Sequence, residues 1–168
     1  MAKNKQIGIR QLWLFSFAAI VVLSDQIVKN ILIDNLKPGY PQPFLGEIVK
    51  LNLAYNDGAA FSIGSGATWI FTIISTAAFI YVIIYSFKIE TTGWAIMAGI
   101  FLGGISGNLI DRLFREPGFA IGHVVDYIQI PFNFPIFNLA DSAIFCICSL
   151  AVIRIMRGDQ IGRKSVSN

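Results

Sequence analysis

The sequence predicts an α-helical membrane protein: a four-transmembrane-helix bundle with a small extracytoplasmic β-sheet. Three observations carry that expectation. Hydrophobic residues make up 55% of the 168 residues and charged residues only 14%, against about a quarter charged in ordinary soluble domains. Mean hydropathy is +0.64. Four stretches approach the roughly 20 apolar residues that a helix needs to cross the hydrocarbon core. Residues 1–168 are therefore expected to form a single integral membrane domain, with no room for a second.

The first span is expected at about 11–33, interrupted by Asp25 and Lys29. Lys3, Lys5 and Arg10 precede it, the layout of a secretory signal. The run ends in Leu23-Ser24-Asp25-Gln26 without a small-x-small cleavage site and then resumes, so it reads as an uncleaved helix. Residues 34–66 are long for a loop. Within them Val49, Leu51, Leu53 and Tyr55 alternate with Lys50, Asn52, Ala54 and Asn56, the pattern of a half-buried strand. Asn56-Asp57-Gly58 is a turn signal, and a sheet is expected over about 40–63. The second span, about 67–87, carries no charge. The third, about 91–110, has Gly99, Gly103 and Gly107 every four residues, a spacing that permits close helix contact. The fourth, about 136–153, follows Pro135, and proline suits a helix start. Its Cys146 and Cys148 point to different faces, which argues against a disulfide or a shared metal and for two small core residues. The tail from roughly Gly158 reads as disordered.

Four spans place both termini on one side. That side collects eight of the 13 basic residues, so the positive-inside rule makes it cytoplasmic. The formal charge of +3 reflects this flank distribution rather than a nucleic-acid surface.

The polar intramembrane residues share a depth. At about 1.5 Å rise per residue, Asp25 lies roughly 20 Å across from the cytoplasmic side, Lys29 roughly 27 Å and Asn108 roughly 25 Å. Asp141 enters from the other side and lies roughly 8–10 Å below the outer end of the fourth span. All converge on the outer third of the bilayer. An ionisable residue inside a membrane is a functional-site hypothesis by default. Asp126 and Asp141 flank the start of the last span, and two nearby carboxylates can share one proton. On pattern alone the pair also suits a proton relay, although a transporter predicts polar residues through the full depth and the inner halves of the spans are nearly bare.

Asp25 and Lys29 are four apart and share a helix face, as a site pair or as a neutralised pair with Lys29 snorkelling to the interface. Asn108 and Arg112 are also four apart. Arg112 suits a carboxylate, a lipid phosphate or an interfacial anchor. His123 is the only histidine, which argues against a zinc centre. No nucleophile elbow accompanies it, and no spacing favours a serine paired with Lys29.

Five segments in order then carry a resemblance: Asp25-Gln26-Ile27-Val28-Lys29, Asn52-Leu53-Ala54-Tyr55-Asn56-Asp57-Gly58-Ala59-Ala60-Phe61, Gly104-Ile105-Ser106-Gly107-Asn108-Leu109-Ile110-Asp111-Arg112, Gly122-His123-Val124-Val125-Asp126-Tyr127 and Phe137-Asn138-Leu139-Ala140-Asp141-Ser142. Together they resemble the lipoprotein signal peptidases (signal peptidase II), four-span bacterial aspartic proteases. The resemblance implies that Asp126 and Asp141 are the catalytic dyad. It implies that Asp25, Lys29, Asn56, Gly104, Asn108, Arg112 and Asn138 bind or position substrate. The sheet becomes a cradle on the membrane from which Asn56 reaches in, and a short helix over about 112–122 lies above the site. The implied substrate is a diacylglyceryl-modified prolipoprotein, cut just before its lipidated Cys, with no metal or cofactor. The implied setting is the bacterial cytoplasmic (inner) membrane, with both termini cytoplasmic and the site toward the outer face. Expected partners are these substrates and membrane lipids, without nucleic acid, and the chain is expected to be a monomer.

Overall fold

The computed structural model describes residues 2–58 and 67–162, with side chains from residue 8 onward. In chain order its elements are α1 (Ala2–Asn35), β1 (Gln42–Leu45), β2 (Val49–Asn56), α2 (Thr68–Ser86), α3 (Thr92–Phe114), β3 (Val124–Gln129) and α4 (Leu139–Met156). All four helices are long and apolar enough to cross a membrane. α1 ends just before Lys37-Pro38, where a proline removes a helical donor and disfavours helix in the preceding residue. α3 is capped by Thr91, whose hydroxyl accepts the Trp94 N–H, and ends just before Glu116-Pro117. α1, the α2–α3 turn and the end of α4 meet at one end of the bundle: Arg10 Nη1 donates to Ile89 O and the Glu90 N–H to Gly162 O. The sheet lies at the other.

The glycines at four-residue spacing do what that spacing allows. A side chain at Gly99 would collide with the backbone of Leu14, and a Cβ at Gly103 would lie 2.8 Å from Ala18 O. A Cβ at Gly107 would lie 2.6 Å from the Asp25 carboxylate. α1 and α3 therefore touch along their backbones. Gly104 faces the other way, and its Cβ would lie 2.7 Å from Ala140 O on α4. Leu14, Ala18, Trp94, Ala95, Met97 and Leu102 form the apolar core at the terminal end. Leu36, Leu53 and Val125 form a smaller one beneath the sheet. Ile20, Leu23, Ile27 and Ile31 of α1, and Ile73, Ile80 and Ile84 of α2, stay exposed, as hydrocarbon-facing side chains should.

Several expectations need correction. The sheet has three antiparallel strands in the order β1-β2-β3. Its third strand, β3, comes from the segment after His123 and pairs Asp126 with Ala54 and Val124 with Asn56. Val124–Tyr127 are buried on both faces, so β3 lacks the alternation that reveals a strand. The expected sheet residues 59–63 lie outside the described residues, as do Ala59, Ala60 and Phe61 of the second segment. The expected helix over about 112–122 is absent: α3 continues through Phe114, and 115–123 are turns. Pro117 blocks a helix, and Gly122 lies so close that a Cβ would sit 2.7 Å from Arg115 O. Cys146 and Cys148 are exposed rather than buried. α4 lies at the bundle edge with Ala140 its only buried residue, and hydrocarbon accepts small apolar side chains without penalty. Gly158–Gly162 fold back on the bundle, held by Arg154–Asp159 at 2.7 Å and by Tyr85 Oη donating to Ile161 O. Residues 163–168 are outside the described residues.

Gly103→Leu should lower stability by about 1–3 kcal/mol, the range for overpacking a close contact. Unfolding by SDS titration in mixed micelles measures it; an unchanged midpoint would show that α1 and α3 can separate without loss.

Candidate active site

At the sheet end, the start of α4 is built from three directions. A helix begins with backbone N–H groups that have no partner within it. In α4 the Leu139 N–H donates to Tyr127 Oη on β3 (3.1 Å), the Ala140 N–H to Asp25 Oδ1 on α1 (3.1 Å), and the Asp141 N–H to Asn138 Oδ1 (2.9 Å). Asp141 Oδ2 accepts the Asn138 N–H in return at 3.2 Å, which completes a capping box. Asp141 thus sits at the third position of α4, where the helix dipole favours negative charge. The helix starts at Leu139 rather than 136, so Asp141 lies roughly 4 Å inside its end, shallower than the depth count expected.

Asp126 projects from β3 and is 2% exposed. Its Oδ1 accepts from Asn138 Nδ2 at 2.7 Å and its Oδ2 from Asn56 Nδ2 at 2.9 Å. Asn138 therefore bonds to both aspartates. Asn108 supports them from α3: its Nδ2 donates to Asp141 Oδ1 at 2.7 Å, and its Oδ1 accepts from Asn138 Nδ2 at 3.1 Å. Burial pushes the Asp126 carboxyl up to about 7, and the charge of Asp141 adds to the rise against the bonds from Asn56 and Asn138. Burial also raises the Tyr127 hydroxyl, which keeps it protonated.

Behind this layer lies a buried charge cluster. Lys29 Nζ contacts Asp25 Oδ2 at 2.8 Å and Asp111 Oδ2 at 2.7 Å, with all three side chains fully buried. It also donates to Asn108 Oδ1 at 3.1 Å. Asp111 Oδ1 accepts from Arg115 Nε at 2.6 Å and Gln26 Nε2 at 3.1 Å. Lys29 does not snorkel, because two carboxylates hold it in the interior. Arg112 is buried beside Phe71, with Nη2 3.3 Å from Gly58 O. Its charge acts on Asp141, Asp126 and Asp111, and its Nε has no partner among the described residues.

Of the sequence candidates, Asn56, Asn108, Asn138, Asp126 and Asp141 form one hydrogen-bonded set. Asp25 and Lys29 stand one contact behind it. Gly104 touches no polar group of the set; it lets α4 approach α3. His123 lines a cleft of about 670 Å³ with Tyr55, Arg115 and Glu116. Sequence reasoning gave no role to Asp111, Gln26, Tyr127 or Arg115. The spacing of Asn108, Asp111, Arg112 and Arg115 on one helix face was the available signal.

The fold and this site define a multi-pass membrane protein with an asparagine-bridged aspartate pair at one end, Asp126 buried and Asp141 half-buried. The chain belongs to the signal peptidase II family: the family model described as "Signal peptidase (SPase) II" matches residues 17–157. It is 49% identical over 141 residues to a lipoprotein signal peptidase of Leifsonia xyli subsp. xyli, covering 84% of this chain and 65% of the relative. It is 40% identical over 149 residues to that of Rhodococcus jostii, covering 89% and 75%. The matched region thus spans just under two thirds of the Leifsonia protein. Two solved structures titled as bacterial membrane enzymes are similar in fold. One has TM-score 0.78 and 26% identity over 92% of this chain and 94% of its own. The other has 0.75 and 28%, over 87% and 94%.

Because the folded Asp126 carboxyl lies near 7, well above an unfolded carboxylate, its contribution to stability is complete below about pH 4 and lost as pH rises to about 7. Thermal unfolding in detergent should therefore fall between pH 4 and 7 in the native chain, and Asp126→Asn should flatten that slope. An equal slope in both would mean that Asp126 titrates normally.

Proposed function

We propose that the chain is a membrane-embedded aspartic endopeptidase that removes the signal peptide from diacylglyceryl-modified prolipoproteins, cutting just before the lipidated Cys. One observation carries the chemistry: a buried and a half-buried carboxylate bonded to the same asparagine, with Asp126 near 7. Asp141, at a helix N-terminus and bonded by Asn108, is the ionised member, and Asp126 holds the proton. Asp141 takes a proton from an attacking water while Asp126 protonates the scissile carbonyl oxygen. The tetrahedral intermediate collapses as Asp141 passes its proton to the leaving nitrogen, and Asp126 is reprotonated as the new carboxyl forms. Asn56 and Asn138 steady Asp126, and the buried guanidinium of Arg112 offers its Nε–H to substrate oxygen. Asp25, Lys29 and Gly104 position these groups. No metal or cofactor enters this scheme.

A substrate with two acyl chains and an apolar signal helix must be met in the bilayer, and its scissile bond lies at the interface where water reaches the dyad. The basic flanks support a topology with both termini in the cytoplasm of a bacterium and the site at the outer face of the inner membrane. In this reading the enzyme acts as a monomer surrounded by lipid.

With purified protein and a diacylglyceryl-modified prolipoprotein, signal-peptide release should survive a chelator and fall by about 10²–10⁴-fold in both Asp126→Asn and Asp141→Asn. Substantial turnover by either folded variant would sink the dyad. In the native chain, kcat/KM should decline above about pH 7 as Asp126 loses its proton; a flat profile to pH 9 would give the proton to another group. A C-terminal reporter that is active only in the cytoplasm should be active, and a silent one would reverse the topology.

A further inference from the structure

Asp111 serves both aspartates without touching either. Its Oδ2 accepts from Lys29 Nζ at 2.7 Å and from the Val125 N–H at 3.2 Å. Val125 directly precedes Asp126 on β3 and is fully buried, so this bond sets the height at which the Asp126 side chain leaves the strand. Lys29 in turn donates to Asn108 Oδ1. An amide whose oxygen faces an ammonium must present its NH₂ on the other side, and that NH₂ donates to Asp141 at 2.7 Å. One carboxylate oxygen therefore fixes the backbone under one aspartate and the amide orientation in front of the other.

The remaining contacts hold Asp111 still. Arg115 Nε and Gln26 Nε2 occupy its Oδ1. Asp25 shares Lys29 with it from α1, and Arg112 adds positive charge from the next position of α3. Its environment is thus one carboxylate, Asp25, one ammonium, Lys29, and two guanidiniums, Arg112 and Arg115, drawn from α1 and α3. A group needed only to neutralise Lys29 would have no call on the Val125 amide, since Asp25 already pairs with the lysine.

We infer that Asp111 is a positioning residue for peptide-bond cleavage, aligning Asp126 through the Val125 amide and Asp141 through Lys29 and Asn108. The inference rests on the peptidase reading above. Asp111→Asn keeps the shape but removes the charge, so it cannot hold Lys29 and the Val125 amide as the carboxylate does. Cleavage of the diacylglyceryl-modified prolipoprotein should then show kcat lower by at least about 10-fold, with KM within about 3-fold of native because no substrate contact is lost. The pH profile of kcat should move by at least about 0.5 unit, since the surroundings of both carboxylates change. Asp111→Glu keeps the charge balance and displaces the oxygens by one methylene, so it should also lose kcat while retaining the native melting temperature.

A folded Asp111→Asn or Asp111→Glu chain with native kcat and pH profile would overturn the role. So would failure of both variants to fold, which would assign Asp111 to the fold alone. Inactivity of the native chain would instead refute the peptidase reading, which separates the two failures.

Discussion

An ammonium buried inside a membrane protein must be paired, and the pairing of Lys29 organises the sheet end of this molecule. Removing one partner of a buried ion pair leaves an uncompensated charge and costs several kcal/mol. Lys29 meets that requirement with Asp25 one turn earlier on its own helix and Asp111 on α3. Both must lie within contact of one nitrogen, so α1 and α3 have to approach closely at that level. The glycines at 99, 103 and 107 make the approach possible, and Gly107 faces the Asp25 carboxylate itself. Packing and electrostatics here form one constraint: a larger side chain at Gly107 would push apart the charges that the lysine needs together.

The same cluster shapes the start of α4. Asp25 gives one oxygen to Lys29 and the other to the Ala140 N–H. Tyr127, from the strand that carries Asp126, takes the Leu139 N–H. The unpaired donors of a helix end, costly when buried, thus become attachment points that dock α4 against α1 and β3. Asp141 lies within this docked turn, so its placement is inherited from α1, β3 and the Asn138 cap together. Asp126 on a strand and Asp141 at a helix start are linked because Asn138, the cap, bonds to both.

Much of the site was legible in the chain. Charged and amide residues in apolar runs are rare enough that Asp25, Lys29, Asn108 and Asp141 stood out, and simple rise per residue brought them to one level. Asp111 escaped because it follows an apolar run and looks like an interfacial residue. Only the continuation of α3 through Phe114 buries it. β3 escaped for the opposite reason: Val124–Tyr127 are buried throughout, and a strand covered on both faces shows no alternation. The expected short outer helix failed on Glu116-Pro117 and on the close approach of Gly122 to the end of α3.

By itself the sequence determined the four apolar helices, the asymmetry of basic flanks and the resemblance to the signal peptidase II family, because hydrophobic length, charge placement and ordered motifs are local properties of the chain. Tertiary structure alone decided that Lys29 is clamped rather than snorkelling, that Asp111 joins the site, that Cys146 and Cys148 face outward, and that Asn138 bonds to both aspartates. Those outcomes depend on which side chains from distant segments occupy the same few ångströms, and burial and hydrogen bonding there are set by helix approach and strand register, which no single segment carries.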